Sequence, residues 1–510
     1  MQSESRKWNS AKNVIFGYLN QILSLGLNFA GRTVFIQILG REYLGINGLF
    51  SDVLTMLSMA DLGFGIAMSY SFYKPIAEQD KKKIAALIHF YKRVYILIAC
   101  ATAVIGVMLV PFLKYIINMD SDIPYLLYYY LLFLTNTIVS YFFVYKTSII
   151  NASQKNYLIS KYQIIIRLVQ TIVQICVLVV FRNYFIYLFI PIIGTLANNL
   201  FTSHKAEQLY PEIRSQNNQL DSAQKKEITE NMKSVFLYKI SSTFLTGTDN
   251  MLISVIIGTV WVGIYSNYNL ILNGINSVLA VLFNSVTASV GNLVVTEKEG
   301  KRYEIFQTMN IISLILAAVI TIVISAVIND LVFLWLGAEY VLSNAIRIAI
   351  VCNFYLANIL RPIWSYREAT GLYTKTKYIM VIAAVFNLIL SIIGGYLYGI
   401  AGIIFASAIS RVSTYCWYEP QLLFHIYFKK KTFGYYLAVL KNMLITFGVC
   451  ILIDVLSRNA CIDSWWKLAV KLLWTGALSL ICVLGYYSRT SEFKVIWNVY
   501  FYKKLKKKKH

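Results

Sequence analysis

Seven ionisable side chains stand well inside stretches that are otherwise apolar: Arg32, Asp61, Arg167, Lys239, Asp249, Arg347 and Arg411. A charge near the centre of a bilayer costs about 2.5–3.5 kcal/mol even on insertion scales, so such residues face a wet cavity or a partner. Cations outnumber carboxylates in this set, and a guanidinium matches phosphate oxygens with paired hydrogen bonds. The set therefore suits an anionic substrate. Asp61 and Asp249 suit a coupling role, binding H+ or Na+ in transit, because burial favours the protonated carboxyl. The alternative for any of them is a static structural ion pair. Asp52 is ambiguous at this stage. Lys441 and Lys471 lie near helix ends and are expected to extend their ammonium groups to the interface.

Polar residues surround these charges at helical spacing. Asn13, Gly17, Asn20, Ser24, Asn28 and Arg32 recur every three or four positions, as do Asn47, Ser51, Thr55 and Ser58. Lys239, Ser242, Thr246 and Asp249 form a third stripe, and Asn269, Asn273 and Asn276 a fourth. Such spacing puts each set on one helix face. Packing between helices accounts for any single Ser or Asn. Four long stripes together are better explained by a wet cavity, with Asn20, Asn28, Asn47, Asn269, Asn273 and Asn276 on its walls.

The elements that position these faces are membrane helices. The chain of 510 residues is 58% hydrophobic and 14% charged, far below the charge of a soluble domain. Apolar runs of about twenty residues, long enough to span a bilayer core, recur throughout. We expect fourteen helices: 13–39, 44–72, 87–117, 123–150, 157–181, 184–203, 233–257, 260–292, 305–328, 331–360, 377–395, 398–424, 434–456 and 465–487. No removable signal segment is expected at the start. The net charge of +23 is read as cytoplasmic loop charge rather than a nucleic-acid surface. Lys81–Lys83, Lys225–Lys226, Lys301–Arg302, Lys375, Lys377, Lys429–Lys431 and the tail Lys503–Lys509 all fall on one side. That bias puts both termini in the cytoplasm. The basic tail then faces anionic headgroups.

An internal repeat organises the helices. Ile38-Leu39-Gly40-Arg41-Glu42-Tyr43-Leu44-Gly45-Ile46 returns as Ile256-Ile257-Gly258-Thr259-Val260-Trp261-Val262-Gly263-Ile264, 218 positions later. The connectors 151–162 and 368–378 repeat at almost the same offset. The expected organisation is a first lobe 1–203, a linker 204–232, a second lobe 233–428, two further helices over 429–487 and a basic tail 488–510. An even-numbered unit repeats in parallel, an arrangement that places a substrate site between lobes. Under the offset Arg32 maps onto Asn250, beside Asp249, so that an Arg–Asp approach across the cleft is expected.

Several segments resemble one known family. These are Gly31-Arg32-Thr33, the stretch from Ile38 to Phe50, Leu57 to Gly65, and Tyr73-Lys74-Pro75-Ile76-Ala77. The connector Ala369 to Lys377 and Gly395 to Gly402 resemble its second half. The family is the Wzx-type bacterial oligosaccharide flippases of the multidrug/oligosaccharidyl-lipid/polysaccharide exporter superfamily. The resemblance covers essentially the whole chain and is strongest over 13–80. It implies an all-α polytopic fold of the MATE/lipid II flippase kind, with two six-helix lobes plus two helices, working by alternating access in the bacterial plasma membrane. It implies an undecaprenyl-pyrophosphate-linked oligosaccharide as substrate, and brings in a polysaccharide polymerase and chain-length proteins as partners. Arg32 matches an Arg of the related lipid II flippases. The Asp that follows it there is Thr33 here, leaving Asp249 or Asp61 for that role. Arg32, with Arg167, Lys239, Arg347 or Arg411, would neutralise the pyrophosphate.

Other classes fit less well. A drug/cation antiporter shares the fold, and a lipid II flippase is a neighbouring alternative. A glycan polymerase or ligase is expected to have a large external loop, and the outer loops are short. No hydrolase, metalloprotease or phosphate-loop motif is present, and no cofactor or metal is expected.

Overall fold

The computed structural model describes residues 2–58, 68, 71–72, 75–76, 78–119, 123–153, 155–214, 220–296, 299–370, 372–458, 460, 462–490 and 493. Asp61, the motifs around it and the basic tail lie outside the described residues.

Among the described residues every regular element is helical. The helices are α1 (Gln2–Leu57), α2 (Lys81–Ile116), α3 (Leu126–Ala152), α4 (Asn156–Phe181), α5 (Tyr184–Leu209) and α6 (Ser222–Ile256). They continue as α7 (Thr259–Thr296), α8 (Glu299–Leu336), α9 (Asn344–Thr370), α10 (Tyr373–Ser413), α11 (Phe433–Leu456) and α12 (Trp465–Tyr487). A shorter helix, Tyr415–Leu423, and a π turn, Phe424–Phe428, follow α10. Two of the long runs are double. α1 turns at Gly40 (φ 81°, ψ −175°) and α10 at Gly399 (φ 62°, ψ −143°). With both limbs of each counted, the fold is all-α with the fourteen expected helices. Helices suit this environment because each satisfies its own backbone polar groups where no water is available.

The turns fall where glycine permits them. Gly40 and its repeat counterpart Gly258 both adopt positive φ, 81° and 137°, a region that a Cβ disfavours. The turn at Arg182–Asn183 is as tight as expected, and Asn183 caps α5 by accepting from Ile186 N at 3.1 Å. α3 breaks at Tyr141–Phe143, which leaves carbonyls without helical partners. Asn199 on α5 repairs that break, its Nδ2 donating to Val139 O, Ser140 O and Phe142 O at 3.3, 3.1 and 2.9 Å.

The chain forms two compact units, Met1–Val281 and Leu282–His510. In the first, Phe72, Tyr91, Tyr145 and Ile149 belong to one buried cluster. α4 shows the opposite face: Ile165, Val169 and Ile172 are about half exposed, as apolar side chains turned to lipid are. In the second unit the core is aromatic. Phe306, Tyr366, Phe424, Phe428 and Tyr435 pack together, with Phe306 5.4 Å from both Tyr366 and Phe424 between ring centroids.

The second unit also holds buried ion pairs. Arg367 Nη1 lies 2.6 Å from Glu419 Oε1, with both side chains almost wholly buried. Lys471 does not extend to the interface. It is 8% exposed and donates to Asp330 Oδ2 at 2.7 Å, tying α12 to α8. Asn442 on α11 joins four helices: it accepts from Tyr355 OH at 2.7 Å and donates to Leu314 O and to Tyr487 OH.

Candidate functional site

The polar stripes of the first unit converge on one cleft of about 330 Å³. Its walls come from both limbs of α1, from α6 and from α7. Asn28, Arg32, Asn47, Asp52, Asn250, Asn269 and Asn273 line it, with Ser51, Ser266 and Ser277 between them. Arg32 reaches across to α7, where its Nη1 donates to Ser266 Oγ at 2.9 Å. A neutral hydroxyl is its hydrogen-bond partner among the described residues, so the guanidinium keeps donors for an incoming anion.

Among the described residues that line this cleft one is a carboxylate, Asp52. Its Oδ2 accepts from Nδ2 of Asn250. Asn250 is the repeat counterpart of Arg32, and the carboxylate that meets it in the cleft is Asp52. Asp249 is buried on α6 and does not line the cleft. Asp52 follows the polar position Ser51 by one residue, which took it off the sequence stripe. Only the rotation of α1 against α6 shows that the stripe is wide enough to include it.

The other predicted residues are distributed differently. Arg167 on α4 donates to Ser24 Oγ, and Asn20 Nδ2 donates to Gln163 Oε1 at 3.3 Å. Both contacts join α4 to the first limb of α1, outside the cleft lining. Asn276 also lies outside it. The side chain of Lys239, on α6, lies outside the described residues. Arg347 and Arg411 belong to the second unit. Arg347 forks onto Asp454 with 3.1 and 2.7 Å contacts and also bonds Ser325, so that Nη1 and Nη2 hold α8, α9 and α11 together while Nε has no partner among the described residues. Arg411 is half-buried on α10, and its Nε has no hydrogen-bond partner among the described residues. Thr33 turns back to its own helix, donating to Phe29 O at 2.8 Å.

The cleft is shut at the Gly40/Gly258 end by backbone contact. A Cβ on Gly45 would stand 2.3 Å from Thr259 O, and one on Gly263 would stand 2.7 Å from Gly45 N. Asn118, beyond α2, adds a latch. Its carbonyl accepts from Thr259 N at 2.8 Å, its N–H donates to Thr259 Oγ1 at 3.0 Å, and Ser254 Oγ donates to Ile116 O at 2.7 Å.

Among the described residues the chain is an all-α polytopic membrane protein. Among solved structures, the chain is similar to a lipid II flippase, MurJ, in an inward closed conformation: TM-score 0.63, 17% identity, 93% of this chain and 99% of that one. It is similar to an inward-facing multidrug resistance MATE family transporter of the MOP superfamily (TM-score 0.61, 12% identity, covering 88% and 100%). It is also similar to a MOP superfamily transporter from Pyrococcus furiosus Vc1, described as having a binding pocket of reverse polarity (TM-score 0.56, 14% identity, covering 82% and 96%). Identities this low establish the fold alone. No family model matches the sequence, and no curated protein matches it.

Proposed function

We propose that this protein is a flippase that moves an undecaprenyl-pyrophosphate-linked oligosaccharide from the inner to the outer leaflet of a bacterial plasma membrane, for surface polysaccharide assembly. The observation that carries the proposal is the cleft around Arg32, a half-buried cation with spare donors on a wall of amides and hydroxyls. Amides and hydroxyls suit sugar hydroxyls, and the guanidinium suits a pyrophosphate oxygen. The likeness to a protein described as a lipid II flippase supports the same class of cargo.

In this reading the headgroup enters the cleft while the lipid chain stays in the bilayer. Closure at the Gly40/Gly258 end holds the cleft shut on that side until the contacts around Gly45 and Asn118 part. The Lys/Arg bias sets both termini and the Lys-rich connectors in the cytoplasm, so the Gly40/Gly258 end faces outward. Asp52 carries the coupling H+ or Na+. A polysaccharide polymerase and chain-length proteins would receive the product.

A deletion strain tests this. Loss of surface polysaccharide, with lipid-linked units accumulating on the inner leaflet, is the expected result, and Arg32→Ala should reproduce it with the protein still in the membrane. A second reading, a drug/cation antiporter, draws on Asp52, an anionic group in the same cleft. Normal polysaccharide with raised sensitivity to cationic drugs would favour it and overturn the flippase.

A further inference from the structure

Beside the turn at Gly40 the first unit contains a second cavity, of about 550 Å³, between the start of α3, the α4–α5 turn and Tyr43. That volume lies in the range of small-ligand sites. Tyr129 and Tyr184, 6% and 3% exposed, line its buried part, with Tyr43 half-buried beside them. The three rings pack edge to face, Tyr184 lying 4.8 Å from Tyr129 and 5.1 Å from Tyr43 between centroids. The Tyr184 hydroxyl donates to Asn47 Oδ1 at 3.4 Å, and Asn47 lines the Arg32 cleft. One tyrosine thus stands between the two hollows.

Two strained residues form its mouth. Tyr125 and Arg182 line the cavity, are exposed, and hold left-handed backbone, φ 65° and 48°. Residues other than glycine keep that conformation only where the surrounding structure fixes it. Tyr128 stands beside Tyr125, 6.2 Å between ring centroids, and is also exposed. Asn183 keeps its Oδ1 on Ile186 N, which leaves its amide N–H groups for a ligand. Tyrosines that only anchor a helix at the membrane interface sit at headgroup level along a belt. Here five converge on one cavity, and two of them are buried.

The lining selects among ligands. A quaternary ammonium suits an aromatic cage, but a cation, Arg182, stands in this one, and no carboxylate is among the described residues that line it. A hydrocarbon chain would leave the guanidinium, the Asn183 amide and the phenol hydroxyls unused. A pyranose ring uses all of them. Its C–H face is electropositive and meets the negative face of an aromatic ring, while its hydroxyls pair with the polar groups around it. We propose that this cavity binds the sugar rings of a glycan. Tyr125 and Tyr128 supply the stacking faces, and Arg182 takes a hydroxyl or, on a uronic acid, the carboxylate. The glycan has two sources, the cargo leaving the Arg32 cleft and finished polysaccharide outside the cell. Only the first of these rests on the flippase reading.

Saturation-transfer NMR of the purified full-length protein in nanodiscs tests it, with maltotriose, trigalacturonate and choline as probes. We expect transfer to both sugars and none to choline. The double variant Tyr125→Ala/Tyr128→Ala should bind both sugars about tenfold more weakly, the loss of two stacked rings. Arg182→Gln should weaken trigalacturonate about tenfold and maltotriose less. All three side chains are exposed, so these variants keep the fold. Arg32→Ala should bind the sugars as the wild type does, so failure of the flippase reading leaves this result untouched. In cells, lowered polysaccharide export in the double variant assigns the bound glycan to the cargo, and full export assigns it to finished polysaccharide. No transfer to either sugar, undiminished transfer in the double variant, or equal transfer to choline overturns the proposal.

Discussion

Gly45 and Gly263 are counterparts in the two repeated motifs, and they lie against each other backbone to backbone. The next counterpart pair, Gly48 and Ser266, also meets, a Cβ on Gly48 standing 3.7 Å from Ser266 Cβ. Equivalent positions in mutual contact are what a local two-fold between the motifs requires. Arg32 bonds Ser266 one turn beyond Gly263, so its guanidinium is placed by the same contact that shuts the cleft.

Gly263→Val should therefore destabilise the protein. The new side chain meets Gly45 N and Arg41 O at or below 3.0 Å, and overpacking of this kind costs about 1–3 kcal/mol. Thermal unfolding in detergent is the readout, with Tm expected to fall by several degrees. Gly448→Ala, where nothing stands within 4 Å, is the control and should leave Tm level or slightly raised. Equal effects at both positions would refute the close-approach argument.

Arg32→Lys separates charge from geometry. A lysine keeps the positive charge and loses the paired donors, so polysaccharide export should fall about tenfold rather than vanish. Ser266→Ala removes a single neutral partner, worth about 1 kcal/mol, and should cost about fivefold or less. Export at the wild-type level in Arg32→Lys would mean that the fork is unused.

Asp52→Asn should uncouple transport from its driving ion. The amide keeps the size of the side chain and its place beside Asn250, but binds no proton and holds a cation poorly. Transport in proteoliposomes should then stop responding to an imposed H+ or Na+ gradient. A variant that follows the gradient as the wild type does would move the coupling role elsewhere.

The Arg367–Glu419 pair is a test of buried charge. Glu419→Gln leaves Arg367 without its anion inside the second unit, a change that costs about 3–5 kcal/mol for a buried pair. The double variant Arg367→Met/Glu419→Leu removes both charges and should regain most of the lost Tm. A Glu419→Gln protein as stable as the wild type would show that the pair is not needed.

The sequence by itself determined that the elements are helices and where the glycine turns at Gly40 and Gly258 fall, whereas the turn expected at 329–330 lies beyond Leu336 and the break at 141–143 was not expected. Apolar run length sets where helices cross, and the positive φ at Gly40 and Gly258 follows from needing a sharp turn between two of them. It also determined which residues share a helix face, because the period of 3.6 is local: Asn28 and Arg32, or Asn269 and Asn273, could be grouped without any partner. What only the tertiary structure decided is how each face is rotated against its neighbours. That rotation brings Asp52 into the cleft, leaves Asn276 out of it, and turns Arg347 onto Asp454, 107 residues away. Lys471 was misplaced for the same reason. Distance from a helix end is visible in a sequence, but Asp330 on another helix, which makes burial of that charge tolerable, is not. Periodicity fixes a direction around one axis, whereas ion pairs and clefts depend on several axes at once, and those are set by close packing such as that of Gly45 on Gly263.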